Sequence, residues 1–317
     1  MSVVQRIDQD LALATCCASI QTYFAYDAGM AFPGNDPLKY ITPPSGWSYR
    51  DYWVGQDVFD GQPIHPLVLF GLVFEKSDGS GEFLFAFRGT QGIDEWIDDF
   101  QVDQTPFRPF VPSNGPAVPS DALAEDGFSE IYYSMQAALF GLLDKYTPSK
   151  LVITGHSLGS SLCTLFTLDV VISRPALANQ TMDYASPRTG NPTFATFYDS
   201  LTLDKGNATL RVANTKDVVP CMPPESFGYQ HVGDWFPVCF EGVGGIFPDL
   251  GLRHSNQNYF RTLCHDFARQ DCSCRLEPPK PKLDYCKPNP AGECEILMTV
   301  LAASEASGTK TFRGAFP

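Results

Sequence analysis

Residues 151–166 spell a buried strand, a sharp turn at a serine and a buried helix, and such a turn leaves a chain little freedom of architecture. The β-branched run Leu151-Val152-Ile153-Thr154 feeds into Gly155-His156-Ser157-Leu158-Gly159, and Ser160-Ser161-Leu162-Cys163-Thr164-Leu165-Phe166 follows at once. Glycines two places either side of Ser157 let the strand and helix backbones approach, while the serine occupies a strained and exposed turn suited to a nucleophile. Gly-x-Ser-x-Gly alone arises by chance in roughly one chain in ten of this length. The flanking elements, not the pentapeptide, therefore carry the reading.

The rest of the chain supplies layers for such a turn. Apolar runs at Leu67 to Phe74 and Glu82 to Phe87, parted by Ser77-Asp78-Gly79-Ser80-Gly81, predict a hairpin and then a buried strand. Strands are expected at Leu151 to Thr154, Met182 to Ala185 and Leu210 to Asn214. Helices are expected at Ser129 to Tyr146, Ser160 to Ser173 and Thr193 to Leu201, with a first helix over Leu11 to Met30 that Gly29 stops. This alternation predicts an α/β class chain, a mostly parallel sheet covered by helices. Pro106, Pro109, Pro112, Pro116 and Pro119 interrupt Gln101 to Ala124, so a surface excursion without regular elements is expected there. After His265 the composition turns rich in proline and cysteine. The expected division is a catalytic domain over 1–270 and a tail over 271–317, a linker or clamp outside the core.

Composition removes several classes of function. Lys and Arg number 22 against 36 Asp and Glu, a net charge of −14, so the field opposes polyanions and nucleic acid is not an expected partner. No apolar run reaches the ~18 residues of a spanning helix, the best, Leu162 to Ile172, being broken by Thr164, Thr167 and Asp169. The beginning of the sequence has no basic region ahead of an apolar stretch, so no signal peptide is read there. Ten cysteines nevertheless favour an oxidising compartment, and the sequons Asn179-Gln180-Thr181 and Asn207-Ala208-Thr209 are compatible with secretion. Secretion is the expected localisation.

A serine hydroxyl needs a base to take its proton and a carboxylate to orient that base. In an α/β hydrolase the order along the chain is serine, acid, histidine. That order disfavours His65 and His156 and leaves His231, His254 and His265. Asp217, in Asn214-Thr215-Lys216-Asp217-Val218-Val219-Pro220, follows an apolar strand directly, where a catalytic acid belongs. A turn aspartate is the competing reading.

Taken together, these segments resemble the fungal-type class 3 lipase family of the α/β hydrolases, over roughly Pro66 to Phe260. Phe87-Arg88-Gly89-Thr90 is similar to the family's oxyanion segment, and Trp96-Ile97-Asp98-Asp99-Phe100 to its following Trp-x-x-Asp-apolar pattern. Gly127-Phe128 resembles the pair before the helix that precedes the nucleophile strand. Tyr184-Ala185-Ser186-Pro187-Arg188-Thr189-Gly190-Asn191 resembles Gly-x-Pro-Arg-x-Gly-Asn, with Ala185 in place of a usual glycine, a departure read as one of packing. Tyr229-Gln230-His231-Val232-Gly233 is similar to a structural Tyr-x-His-x-Gly, and His254 before Tyr259-Phe260 to the late pattern that bears the base.

The resemblance implies Ser157 as nucleophile, His254 as base, Asp217 as its orienter, and backbone donors at Thr90 and Leu158 for the oxyanion, with the Thr90 hydroxyl a further donor and Asp99 its orienter. It implies no cofactor and no catalytic metal. Between Thr90 and Asp99, Ile93, Trp96 and Ile97 share one helical face while Asp94, Glu95 and Asp98 take the other, which fits a short lid helix over the acyl site or a permanently docked surface turn. The substrate class implied is a carboxylic ester, foremost triacylglycerol at a water–lipid interface. A phospholipase, a feruloyl-type esterase and an inactive hydrolase-like binding protein are the alternatives. The cysteines suit disulfides of undetermined connectivity. Zinc at Cys272-Ser273-Cys274 is disfavoured because paired Cys-x2-Cys arms are lacking, and Cys163 reads as a small buried hydrophobe.

Overall fold

The computed structural model describes residues 7–29, 39–58, 66–90, 103–203, 209–242, 250–270, 272–277 and 283–288. Seven strands form the central sheet: β1 (Trp47–Gln56), β2 (Leu67–Lys76), β3 (Glu82–Phe87), β6 (Lys150–Gly155), β7 (Ala178–Tyr184), β8 (Thr209–Asn214) and β9 (Asp234–Val238), hydrogen-bonded in that order. Between β3 and β6 the chain makes a separate two-stranded ribbon of β4 (Gln104–Pro106) and β5 (Leu123–Glu125). The first two pairings of the sheet are antiparallel and the other four parallel. The sheet is thus mostly parallel and flanked by helices, as the alternation requires.

Period-two side-chain alternation decides what each face of the sheet buries. Phe83, Phe85 and Phe87 of β3 with Leu151 and Ile153 of β6 point into the largest core. That core packs under α2 (Asp126–Tyr146), α3 (Leu158–Ser173) and α4 (Pro192–Thr202). Leu84, Ala86 and Val152 point the other way, beneath α1 (Gln9–Asp27). The same α1 also meets the C-terminal helices α5 (Leu250–His254) and α6 (Asn256–Asp266) in a third cluster through Ala12, Cys16 and Ile20 against Leu252, Tyr259 and Leu263. Every residue of α3 is buried, so it carries no solvent-facing polar stripe, and polar side chains on it such as Asp169 and Ser173 are hydrogen-bonded inside.

Two expectations change. The proline-broken excursion holds regular structure after all, since Gln104, Thr105 and Pro106 pair with Glu125, Ala124 and Leu123. Pro106 closes its strand, where a missing N–H costs no interior ladder bond. The first helix ends at Asp27, with Gly29 just past it at φ 66°. Of the two readings of the residues after His265, linker or clamp, the described ones take the second: Cys264–Cys272, Cys17–Cys274 and Cys239–Cys286 are disulfides, and β11 (Leu283–Tyr285) pairs with β10 (Phe240–Gly242). Those bonds take Cys272 and Cys274 out of any zinc site. Cys163 is free and buried, and among the described residues no helix is long and apolar enough to cross a membrane.

Candidate active site

Ser157 sits between β6 and α3 at φ 60° and ψ −130°, a conformation a non-glycine residue adopts only when its surroundings impose it. The glycines do the imposing. A Cβ at Gly155 would lie 2.4 Å from the Gly159 carbonyl oxygen, and one at Gly159 would lie 2.7 Å from that of Phe87. Gly89 is held as closely, for a Cβ there would stand 2.4 Å from the His156 carbonyl oxygen and 3.2 Å from Ser157 Cβ. The end of β3 is therefore pressed against the elbow, and Thr90 follows immediately. Buried Arg88 fixes that approach by donating to the carbonyls of Leu69 and Gly89, both at 2.8 Å, with its guanidinium stacked over Tyr26.

Asp217 lies in the turn after β8 and is buried. Its Oδ2 accepts from His254 Nδ1 at 2.8 Å and from the Tyr259 hydroxyl at 2.9 Å, and its Oδ1 from the Val219 N–H at 3.0 Å. Because the carboxylate can only accept, the His254 proton resides on Nδ1 and leaves Nε2 a lone pair. Nε2 of His254 and Oγ of Ser157 are both buried, and neither has a hydrogen-bond partner among the described residues.

The other histidines are engaged elsewhere. His231 Nε2 donates to the Pro220 carbonyl at 2.7 Å, and burial with the nearby Arg211 and Arg188 charges holds it well below the usual imidazole range. His265 pairs with its exposed neighbour Asp266 and stacks on Tyr285. Leu158 opens α3, in the first turn, whose N–H groups lack intrahelical acceptors. Thr90 and His254 line one cavity of about 400 Å³ together with Tyr23 and His156. Ile93, Trp96, Ile97 and Asp99 lie outside the described residues. Among the described residues no group of His, Cys, Asp or Glu side chains is arranged to hold a metal ion.

Two features escaped the sequence. His156, next to the serine, binds a residue 98 positions away, and nothing in its neighbourhood announces that. Ala185 has φ 52°, so the glycine usual at this place answers a left-handed backbone rather than a packing need.

A strained serine after a parallel strand, with an acid–histidine pair beyond later strands at the same end of the sheet, defines an α/β hydrolase. A family model for class 3 lipases matches residues 84–227, a stretch that holds Thr90, Ser157 and Asp217. Over that stretch the chain is similar to the class 3 lipases. The chain is 28% identical over 216 residues to a lipase of Rhizomucor miehei, covering 66% of this chain and 52% of that protein. It is 31% identical over 156 residues to a secreted mono- and diacylglycerol lipase of Malassezia globosa, covering 47% and 49%. The triacylglyceride lipase structure of Rhizomucor miehei shares the fold, with a TM-score of 0.54 at 22% identity over 74% of this chain and 81% of that one. The chain spans about half the length of these curated relatives.

Proposed function

We propose that this protein is a serine carboxylic ester hydrolase of the triacylglycerol lipase type. The observation that carries the proposal is the His254 ring oriented by Asp217, with its Nε2 and, at the elbow, Ser157 Oγ each buried and without a hydrogen-bond partner among the described residues. In this reading His254 takes the serine proton as Oγ attacks the ester carbonyl, then returns it to the leaving alcohol. Asp217 holds the Nδ1–H tautomer and stabilises the imidazolium that forms. Backbone N–H groups of Thr90 and Leu158 receive the oxyanion, charge that exists only once the carbonyl has become tetrahedral. Water then hydrolyses the acyl-enzyme. The chemistry requires no cofactor.

A lid belongs to the proposal on the sequence pattern alone: the apolar face of Ile93, Trp96 and Ile97 would cover the acyl site and turn outward at a lipid surface, a permanently docked surface turn being the competing reading. The 1–270 catalytic domain and 271–317 tail stand as a proposed division, and three disulfides support an oxidising, extracellular setting. Acylglycerols are favoured by the fungal lipases among the relatives, and a phospholipase A1-II of rice, 26% identical over 240 residues, keeps phospholipids as the second reading. The test is a Ser157→Ala variant beside wild type on tributyrin, a long-chain triglyceride, a phospholipid and methyl ferulate. Turnover should fall on the order of 10⁶-fold, as in serine protease templates. Ester hydrolysis kept by the variant rejects Ser157 as nucleophile, and a wild-type preference for the phospholipid or the ferulate rejects the lipase assignment.

A further inference from the structure

We infer that Tyr23 and His156 form a positioning clamp on the proposed base, one hydrogen-bonded chain that ties the oxyanion segment and the nucleophile elbow to the backbone of His254. The inference rests on the reading of His254 as the base. His156 Nε2 lies 2.6 Å from the His254 carbonyl oxygen. A carbonyl only accepts, so the His156 ring must present Nε2–H there. Its Nδ1 lies 2.9 Å from the Tyr23 hydroxyl. Burial and the nearby His254 hold His156 well below the usual imidazole range, so the ring is neutral and Nδ1 accepts the Tyr23 proton. The Tyr23 oxygen in turn takes a hydrogen bond from the Gly89 backbone. The chain thus runs from Gly89 through Tyr23 and His156 to His254, and each donor and acceptor in it has a single consistent role.

The need for a clamp follows from where the base sits. His254 is the last residue of the five-residue helix α5, whose final carbonyls have no partner within the helix. Each of the last three is instead bound by a side chain from another part of the fold. Asn258 Nδ2 donates to Leu252 at 3.0 Å, Asn214 Nδ2 to Arg253 at 3.0 Å, and His156 to His254 itself. Only the third comes from the elbow. The two imidazoles also touch, tilted 39° to one another with centroids 4.5 Å apart. Removing the Tyr23 hydroxyl leaves the buried Nδ1 lone pair of His156 without a donor, so the ring loses the contact that fixes the direction of its Nε2–H toward the His254 carbonyl.

Four proteins test the clamp: wild type, Tyr23→Phe, His156→Gln and His156→Leu. Each is assayed for kcat and KM on p-nitrophenyl butyrate, for the rate at which a fluorophosphonate labels Ser157, and for its unfolding temperature. Tyr23→Phe should lower kcat and the labelling rate together by about ten-fold, the scale of one lost neutral hydrogen bond, with KM unchanged. His156→Leu should lose about 100-fold, whereas His156→Gln, which keeps an N–H in place of Nε2, should recover most of that loss. Wild-type kcat and labelling in Tyr23→Phe would overturn the clamp while leaving the triad standing, as would equal impairment of the Gln and Leu variants. Should His156→Leu fail to fold, Tyr23→Phe and His156→Gln decide the matter. A wild-type enzyme that hydrolyses the ester yet never labels at Ser157 sinks the triad reading, and the clamp with it.

Discussion

Asp217 and Asp183 are both buried carboxylates on the parallel half of the sheet, and their surroundings are opposite. Asp217, beyond the end of β8, receives three donors. Asp183, within β7, receives none on either oxygen among the described residues, and burial pushes it up to about 8 against the opposing pull of Arg211. Asp169 in α3 offers an intermediate case. It is buried too, but Tyr132, Gln136, Ser173 and the Phe110 N–H all donate to it, at 2.6 to 2.8 Å. The lesson is that burial alone does not set a carboxylate's surroundings in this fold: donors converge on Asp217 and Asp169, where they join separate elements, and are withheld from Asp183, where burial favours the protonated form.

The sharpest way to break this comparison is Asp217→Asn. If the donors around Asp217 serve an ionised orienter, kcat should fall about 10⁴-fold with little change in unfolding temperature. Near-normal kinetics on a soluble ester would place Asp217 with the structural carboxylates. Next in size is Asp169→Ala, which orphans donors from α2 and from the excursion at once. A loss of about 3 kcal/mol in denaturant titrations is expected, with kcat affected far less than stability. An unchanged midpoint would show that the four bonds do not hold the excursion to α3.

Asp183→Asn should act in the opposite direction. The folded value near 8 lies above that of an unfolded aspartate, so the native state binds the extra proton between about pH 4 and pH 8, and wild-type stability falls as pH rises through that window. The variant should lose this slope and gain on the order of 1–3 kcal/mol at neutral pH. Parallel stability-versus-pH curves for the two proteins would mean that Asp183 is ionised and paired after all. Smallest is Ala185→Gly, which relieves a left-handed alanine and should raise stability by about 1 kcal/mol without altering kcat. A lower melting temperature would show that the alanine methyl is needed for packing.

Much of this arrangement was legible before any coordinates. The elbow was readable because its strand and helix are buried and so write largely apolar runs on both sides of Gly-x-Ser-x-Gly. Asp217 was readable because it follows β8 at once, whereas choosing among three histidines needed the family resemblance, as no local pattern separates His254 from His231. β1 was missed for a physical reason: register shifts at Tyr49/Asp51 and Trp53/Val54 break its period of two, so polar and aromatic residues fall out of phase. β9 was missed because it is an edge strand carrying Pro237, which the sheet tolerates only at such a margin. The burial of Asp183 and the partners of His156 depend on contacts made across the fold, which neither residue's neighbours in sequence encode.

Cys17 and Cys274 are joined across a separation of 257 positions, so one sulfur–sulfur bond turns nearly all of the folded body into a covalent ring. A protease that nicks the ring once, at any loop, opens it without releasing a fragment. The cut molecule should migrate as full-length protein on a denaturing gel until a reductant is added, and only then resolve into two pieces.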